Sequence, residues 1–237
     1  MTDTHSAKAL NVLELFSGTH SISDAFRSRG HVAHTVDWDP SVDADLHADI
    51  GSLTLDGVVA LCGGVPDVVW ASPDCTTFSV AAISHHRVRD PGTGLLLPRT
   101  PYAEQCDRID AHVVDLIRGL ARLKEEEGGS LAYFVENPRG GMRRAPFIAD
   151  LPGAVRYTVT FCQYGESRMK PTDIWSNVAD AGFRPPCRNG APCHERAPRG
   201  SRAGTQGIKG SLARAHLPEQ LCGHVVDICE ARFAGVA

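Results

Sequence analysis

The chain has 237 residues, 42% of them apolar, which is enough for one sizeable α/β domain with a true core. No apolar run is long enough to span a membrane and no leader segment stands out, so a cytoplasmic protein with no membrane partner is expected. Net charge is −4, from 24 basic and 28 acidic side chains, which argues against a general polyanion binder. Eight cysteines, at 62, 75, 106, 162, 187, 193, 222 and 229, are scattered about one per element and read as thiols of a reducing compartment.

Residues 1–8 are polar. Leu10 to Phe16 is a strand pattern, Ser17-Gly18-Thr19-His20-Ser21 a small-residue turn, and Ile22 to Arg29 an amphipathic helix closed by Gly30. Strand, tight turn and helix open a nucleotide-binding α/β unit, although the further glycines of the dinucleotide pattern are lacking. His31 to Val36 is a second strand that ends in Asp37-Trp38-Asp39-Pro40. An acid there can accept from ribose hydroxyls, and the Trp38 ring offers a stacking face. A short third strand ends near His47-Ala48-Asp49-Ile50, with a helix expected from about Ser52-Leu53. Asp49 either caps that helix or accepts from an adenine amino group.

Asp67 to Ala71 reads as a buried strand that stops at Ser72-Pro73, with Cys75 directly beyond, so Cys75 is placed like a nucleophile at a strand's C-terminal end. Residues 80–103, rich in Gly, Pro, His and Arg, are expected to form a long loop that closes on substrate. Glu104 to Lys124 is an amphipathic helix, and Leu131 to Val135 is another buried strand running into Glu136-Asn137-Pro138. Val155 to Phe161 and the segment around Trp175 are expected to pair as an antiparallel edge hairpin. Pro218 to Phe233 is a closing helix.

Charge is uneven along the chain. Residues 1–63 hold nine acidic and three basic side chains, whereas residues 184–214 hold seven basic and one acidic, which suits a cofactor in the front half and a phosphate backbone at the back. Residues 182–216 read as an irregular insert containing Cys187, Cys193 and His194. The gap between the two cysteines exceeds the usual zinc-site spacing. His216, Cys222 or Cys162 are candidate fourth ligands but form no second tight pair, so no metal is assigned.

Five motifs in order resemble the DNA (cytosine-5)-methyltransferases, particularly the compact phage and prophage forms. They are Leu13-Glu14-Leu15-Phe16-Ser17-Gly18, Asp37-Trp38-Asp39, Asp49-Ile50, Ser72-Pro73-Asp74-Cys75-Thr76-Thr77-Phe78-Ser79 and Glu136-Asn137-Pro138. The resemblance implies an α/β, Rossmann-like S-adenosylmethionine-dependent methyltransferase fold, mostly parallel with an antiparallel edge hairpin. It implies residues 1–181 as catalytic domain, 182–216 as a reduced target-recognition region and 217–237 as a helix packing back. It implies S-adenosylmethionine as cofactor, held by Phe16, Ser17, Gly18, Thr19, His20, Asp37, Trp38, Asp49, Ile50 and Pro73, and double-stranded DNA as partner of a monomer in a bacterial or phage-infected cell. Cys75 would add to carbon 6 of a flipped cytosine and Glu136 would hold the base edge. Lys170, with Arg168 in support, stands where the family has a basic pair. Asp74 occupies the position where the family has proline, and a carboxylate beside a thiol raises its pKa. A related enzyme acting on RNA or using a modified alkyl donor, and a silent nucleic-acid-binding module, are the alternatives.

Overall fold

The structure is a computed structural model that describes residues 8–195 and 210–234; residues 196–209 of the expected insert lie outside the described residues. The first strand, β1 (Asn11–Leu15), leads through a turn into α1 (Ser21–Ser28) and β2 (Val32–Asp37). A two-residue β3 (Leu46–His47) follows, then a single 3-10 turn at Ile50–Ser52 and α2 (Leu55–Cys62). The helix therefore starts later than Ser52, because Thr54 is the residue whose hydroxyl accepts from the Gly57 amide at 3.0 Å and caps it.

Strand β4 (Val68–Ala71) is buried on both sides, and its period of two sorts it. Val69 and Ala71 join one core with Leu13, Leu15, Tyr133 and the apolar face of a long helix; Val68 and Trp70 join the other with Val12, Phe26 and Phe134. A strand apolar at every position is what a sheet covered by helices on both faces requires.

The segment expected as a loop is folded. After α3 (Ile83–His86), strands β5 (Arg87–Arg89) and β6 (Leu96–Pro98) form a separate antiparallel hairpin. The 26-residue α4 (Pro101–Glu126) then begins earlier than Glu104, with Thr100 accepting from Ala103 N at 3.2 Å and Pro101 in its first turn. Arg87 anchors the hairpin: it is 3% exposed, pairs with Asp107 of α4 at 2.7 Å, donates to Thr77 Oγ1 at 2.7 Å, and lies 3.5 Å over the Phe78 ring. A guanidinium with its donors filled by a carboxylate and a hydroxyl satisfies itself in the interior. No sequence period announces that, and it fixes the segment against the body as a packed hairpin.

Strand β7 (Ala132–Pro138) runs through Glu136 and Asn137, further than the apolar run suggests. The last two strands, β8 (Val155–Thr160) and β9 (Pro171–Ser176), pair antiparallel as expected. The sheet order is β3-β2-β1-β4-β7-β9-β8, with β9 antiparallel to both neighbours and the other neighbours parallel. This is the mostly parallel sheet with an antiparallel edge that the sequence predicts. The short α5 (Ser211–Ala215) precedes α6 (Glu219–Phe233), which packs on α1 through Leu221, Val225, Val226 and Cys229. No helix among the described residues is long and apolar enough to cross a membrane.

The topology fixes where a site can form. From β1 the chain leaves to α1 on one face, and it enters β4 from α2 on the other. The order reverses between β1 and β4, and a crevice opens beyond the carboxyl ends of strands at such a switch point. Below it, Gly140 lies so close to the turn after β4 that a Cβ would sit 2.5 Å from the Phe78 carbonyl oxygen. Gly140→Ala is therefore expected to lower stability by about 1–3 kcal/mol, read as a thermal midpoint several degrees lower by circular dichroism. An unchanged midpoint would show that the turn yields freely.

Candidate active site

Two turns face each other across the switch point. The first, after β1, contains three residues in the left-handed region: Phe16 (φ 59°), Gly18 (φ 42°) and His20 (φ 55°). Two of them are not glycine, and each costs roughly 1–2 kcal/mol of backbone strain. The strain is held in place by a hydrogen bond from His20 N to Ser17 O at 2.7 Å and by one from Ser17 N to Val36 O at 3.2 Å. The fold of this turn sends α1 off with its N-terminus facing inward. Its first free amides go to a remote partner: Glu14 of β1 accepts from Ser23 N at 2.8 Å and Ile22 N at 3.4 Å. Glu14 is buried, and the loss of water pushes its pKa up to about 7 against the lowering effect of those bonds.

At the end of β2, Asp37 ties the two neighbouring loops together. Its Oδ2 accepts from Gly18 N at 2.9 Å and its Oδ1 from Asp39 N at 3.0 Å, leaving a further lone pair on each oxygen. Trp38 beside it is 68% exposed, a large apolar face with nothing on it. Asp49 accepts from Gly51 N at 3.0 Å and caps the single 3-10 turn Ile50–Ser52 rather than the helix, which Thr54 caps, and Ile50 is buried in the core. Thr19 shares a hydrogen bond with Ser21 at 2.8 Å. Two buried polar atoms here have no partner: Ser17 Oγ and His20 Nδ1. Unmet polar atoms, a strained backbone cradle and a bare indole fit a polar ligand with a flat ring system.

The second turn follows β4. Pro73 is buried, and Cys75 opens a single 3-10 turn (Thr76–Phe78) with its thiol half-buried. Strand β7 lies beside β4 with Ala71 opposite Val135, so Glu136 comes level with Ser72. The expected neighbouring of the two strand ends is therefore present. Asn137 Nδ2 donates to the Pro73 carbonyl at 3.1 Å and stitches the strand ends together, a task that its place in the Glu136-Asn137-Pro138 motif does not announce. Glu136 Oε1 and Asn137 Oδ1 are both buried without a partner. Of the buried unpartnered side-chain atoms among the described residues, these two and the Ser17 and His20 atoms belong to residues at or just beyond the carboxyl ends of β7 and β1.

Electrostatics tune the pair. Burial raises the Glu136 carboxyl, opposed first by Lys170 and by a hydrogen bond with Ser72. Burial also raises the Cys75 thiol, with the Glu136 and Asp74 charges adding and Lys170 opposing. Lys170 itself is lowered by burial. Lys170 thus shares the environment of both groups, while its Nζ donates to the Arg214 carbonyl at 3.1 Å and lies 4.5 Å from the Phe161 ring centroid. Arg168 is different. It is 3% exposed, pairs with Glu166, and donates to the His216 carbonyl at 2.9 Å and the Arg214 carbonyl at 3.3 Å. The fold therefore uses Arg168 to hold residues 214–216 and leaves the crevice cation to Lys170. Both Asp74 oxygens are engaged: Oδ1 accepts from Thr76 N at 2.7 Å and Oδ2 accepts from Tyr102 OH of α4.

A second cluster lies outside the crevice. Cys162, Cys187, Cys193 and His194 bring four ligand atoms within 4.8 Å of one another. The sequence assigns no metal to Cys187, Cys193 and His194 and offers Cys162 only as one candidate fourth ligand. The fold brings these four together, with Cys162 arriving from the distant turn after β8 and His194 adjacent to Cys193.

No family model matches the chain. A curated protein of Frog virus 3 (isolate Goorha), described as a probable DNA (cytosine-5)-methyltransferase, is 29% identical over 239 residues, which are 93% of this chain and all of that protein. The solved Dnmt2 methyltransferase of S. pombe gives a TM-score of 0.48 at 16% identity over 71% of this chain, and the Entamoeba histolytica methyltransferase EhMeth 0.48 at 13% over 76%. The chain spans 49% and 57% of those two structures. The similarity to the curated relative thus runs along that relative's entire length.

Glu14 gives this site a pH signature. Its folded pKa lies above its unfolded value of 4.5, so the native state holds the proton more tightly. Its contribution is full below the unfolded value and is lost as pH rises through about 7. Glu14→Gln keeps an acceptor and removes the charge. It is expected to flatten the fall in stability between pH 5 and 8 by about 1–3 kcal/mol, measured by urea denaturation across that range.

Proposed function

We propose that this chain is an S-adenosylmethionine-dependent methyltransferase acting on carbon 5 of cytosine in double-stranded DNA. The observation that carries the reading is the pairing of a half-buried thiol, Cys75, with a buried carboxyl, Glu136, whose Oε1 has no protein partner, at the ends of adjacent parallel strands. The relative from Frog virus 3 supports the reaction and the substrate class. The basic residues of 184–214, among them the exposed Arg184, Arg188 and Arg214, support a phosphate-backbone partner.

The first turn suits S-adenosylmethionine. Asp37 would accept from the ribose hydroxyls with its remaining lone pairs, Trp38 would cover a face of the adenine, and Ser17 and His20 would meet polar groups with their unpartnered atoms. The cofactor supplies an electrophilic methyl group when bound. The rest of the chemistry belongs to the chain. A cytosine inside a duplex cannot reach Cys75, so the base leaves the stack to enter the crevice. The Cys75 thiolate forms a bond to carbon 6, and the electron pair of the 5,6 double bond moves onto carbon 5. Glu136, whose hold on its proton burial strengthens, donates to ring N3 as negative charge develops there, and its other oxygen accepts from the exocyclic amine. After methyl transfer to carbon 5, loss of the carbon-5 proton to a base returns an electron pair that expels the Cys75 thiolate and restores the ring. Lys170, near both groups, favours the thiolate.

A covalent trap tests this. With S-adenosylmethionine and duplex containing 5-fluorocytosine, the carbon-5 fluorine cannot leave as a proton would, so an adduct at Cys75 is expected by mass spectrometry. Cys75→Ser should give none, and Glu136→Gln should slow its formation by about 10²–10³-fold. Adduct on RNA alone would reassign the substrate; absence from every nucleic acid would sink the reading. The pH profile gives a separate check. Because the thiol is raised, the rate should climb with pH through the neutral range. Asp74→Asn removes a negative neighbour and should move that climb to lower pH in single-turnover assays.

A further inference from the structure

Cys162, Cys187, Cys193 and His194 come together at the far edge of the sheet. Cys162 lies in the 3-10 turn Phe161–Tyr164 that ends β8, and the other three lie in the strand-free segment that folds back over this turn. The fold holds both sides in place independently of any ligand. Cys187 N donates to Thr160 Oγ1 at 2.9 Å, Arg184 N to Tyr164 OH at 2.8 Å, and Glu195 N to the Ser167 carbonyl at 2.8 Å.

The spacing within the cluster has a meaning. Tetrahedral zinc with thiolate bonds near 2.3 Å and imidazole bonds near 2.1 Å sets sulfurs about 3.8 Å apart and sulfur from nitrogen about 3.6 Å apart. Here Cys193 Sγ lies 3.8 Å from Cys162 Sγ, and His194 Nδ1 lies 3.6 Å from both Cys187 Sγ and Cys193 Sγ. The Cys162–Cys187 pair, at 3.0 Å, is tighter than a tetrahedral edge and opens on loading. We propose that these four side chains bind one zinc ion as a structural Cys₃His site.

The donor set is soft, and all four positions come from the protein, so no coordination position is left for substrate and the role is structural. Zinc takes the three sulfurs as thiolates and the imidazole as a neutral ligand through Nδ1, so loading releases the thiol protons to solvent. The ring proton then sits on Nε2, which accepts from Gly190 N at 3.2 Å without metal; that bond is given up on loading. What the ion would secure is the root of the basic segment: Arg196, Arg199 and Arg202 follow His194 in the sequence. The same turn carries Phe161, whose ring lies under Lys170 at the crevice. One staple thus spans the sheet edge from the candidate nucleic-acid-binding segment to the wall of the candidate active site.

The inference does not depend on methyl transfer, and neither does its test. The full chain, produced with zinc in the medium and passed through gel filtration, is expected to carry one zinc per chain by inductively coupled plasma mass spectrometry. Replacement by cobalt(II) alone should give the thiolate charge-transfer band and the intense visible bands of a tetrahedral sulfur-ligated ion. Cys187→Ser with Cys193→Ser should reduce the metal to trace, while Cys62→Ala, distant in the core, should retain it. The cobalt spectrum of the unaltered chain keeps the test valid if the double variant fails to fold. Zinc at trace level in the unaltered chain, a cobalt spectrum without thiolate bands, full zinc in the double variant, or a Cys162–Cys187 disulfide in peptides from unreduced protein would each overturn it.

Discussion

Reversal of strand order between β1 and β4 is the constraint on which the crevice depends. Because α1 must cover one face and α2 the other, the chain parts above these two strands and leaves their carboxyl ends uncovered. The turn after β1 and the turn after β4 then have no choice but to face one another. Everything polar in the crevice is arranged by that parting: Asp37 fastens the first turn from the next strand, and Asn137 fastens the second. The unfilled valences of Ser17, His20, Glu136 and Asn137 belong to residues at or just beyond the carboxyl ends of β1 and β7.

The second constraint is charge in a small volume. Glu136, Cys75 and Lys170 each have a protonation equilibrium displaced by burial, and each moves the others. Two acids near a thiol would silence it were both free to face it. The fold engages the Asp74 carboxylate with the Thr76 amide and the Tyr102 hydroxyl. It leaves Lys170 as the nearby cation and commits Arg168 to Glu166 and to backbone carbonyls.

The strands and the crevice were legible in the sequence for a local reason. A parallel strand covered on both faces is a short, wholly apolar run, and the residue that ends it is a polar exception, as Ser72 is after Ala71. Cys75 and Glu136 stand out on that basis alone. What was illegible depends on partners far along the chain. Residues 80–103 look like a loop until Arg87 meets Asp107 and Thr77. Arg168 looks like a site residue until Arg214 and His216 fold over it. The cysteine cluster needs Cys162, separated by a whole strand and an irregular stretch from its partners. Spacing rules read neighbours in sequence, and these contacts are made by neighbours in space.

The distribution of tryptophan gives the chain a built-in optical report on one end of the crevice. Trp70 and Trp175 are buried at 0% and 4% exposure, whereas Trp38 stands in solvent at the lip of the first turn. Red-edge emission and accessibility to a soluble quencher therefore belong to a single indole. Whatever settles on that ring changes the fluorescence of the whole protein without a label, and leaves the two interior emitters as an internal reference.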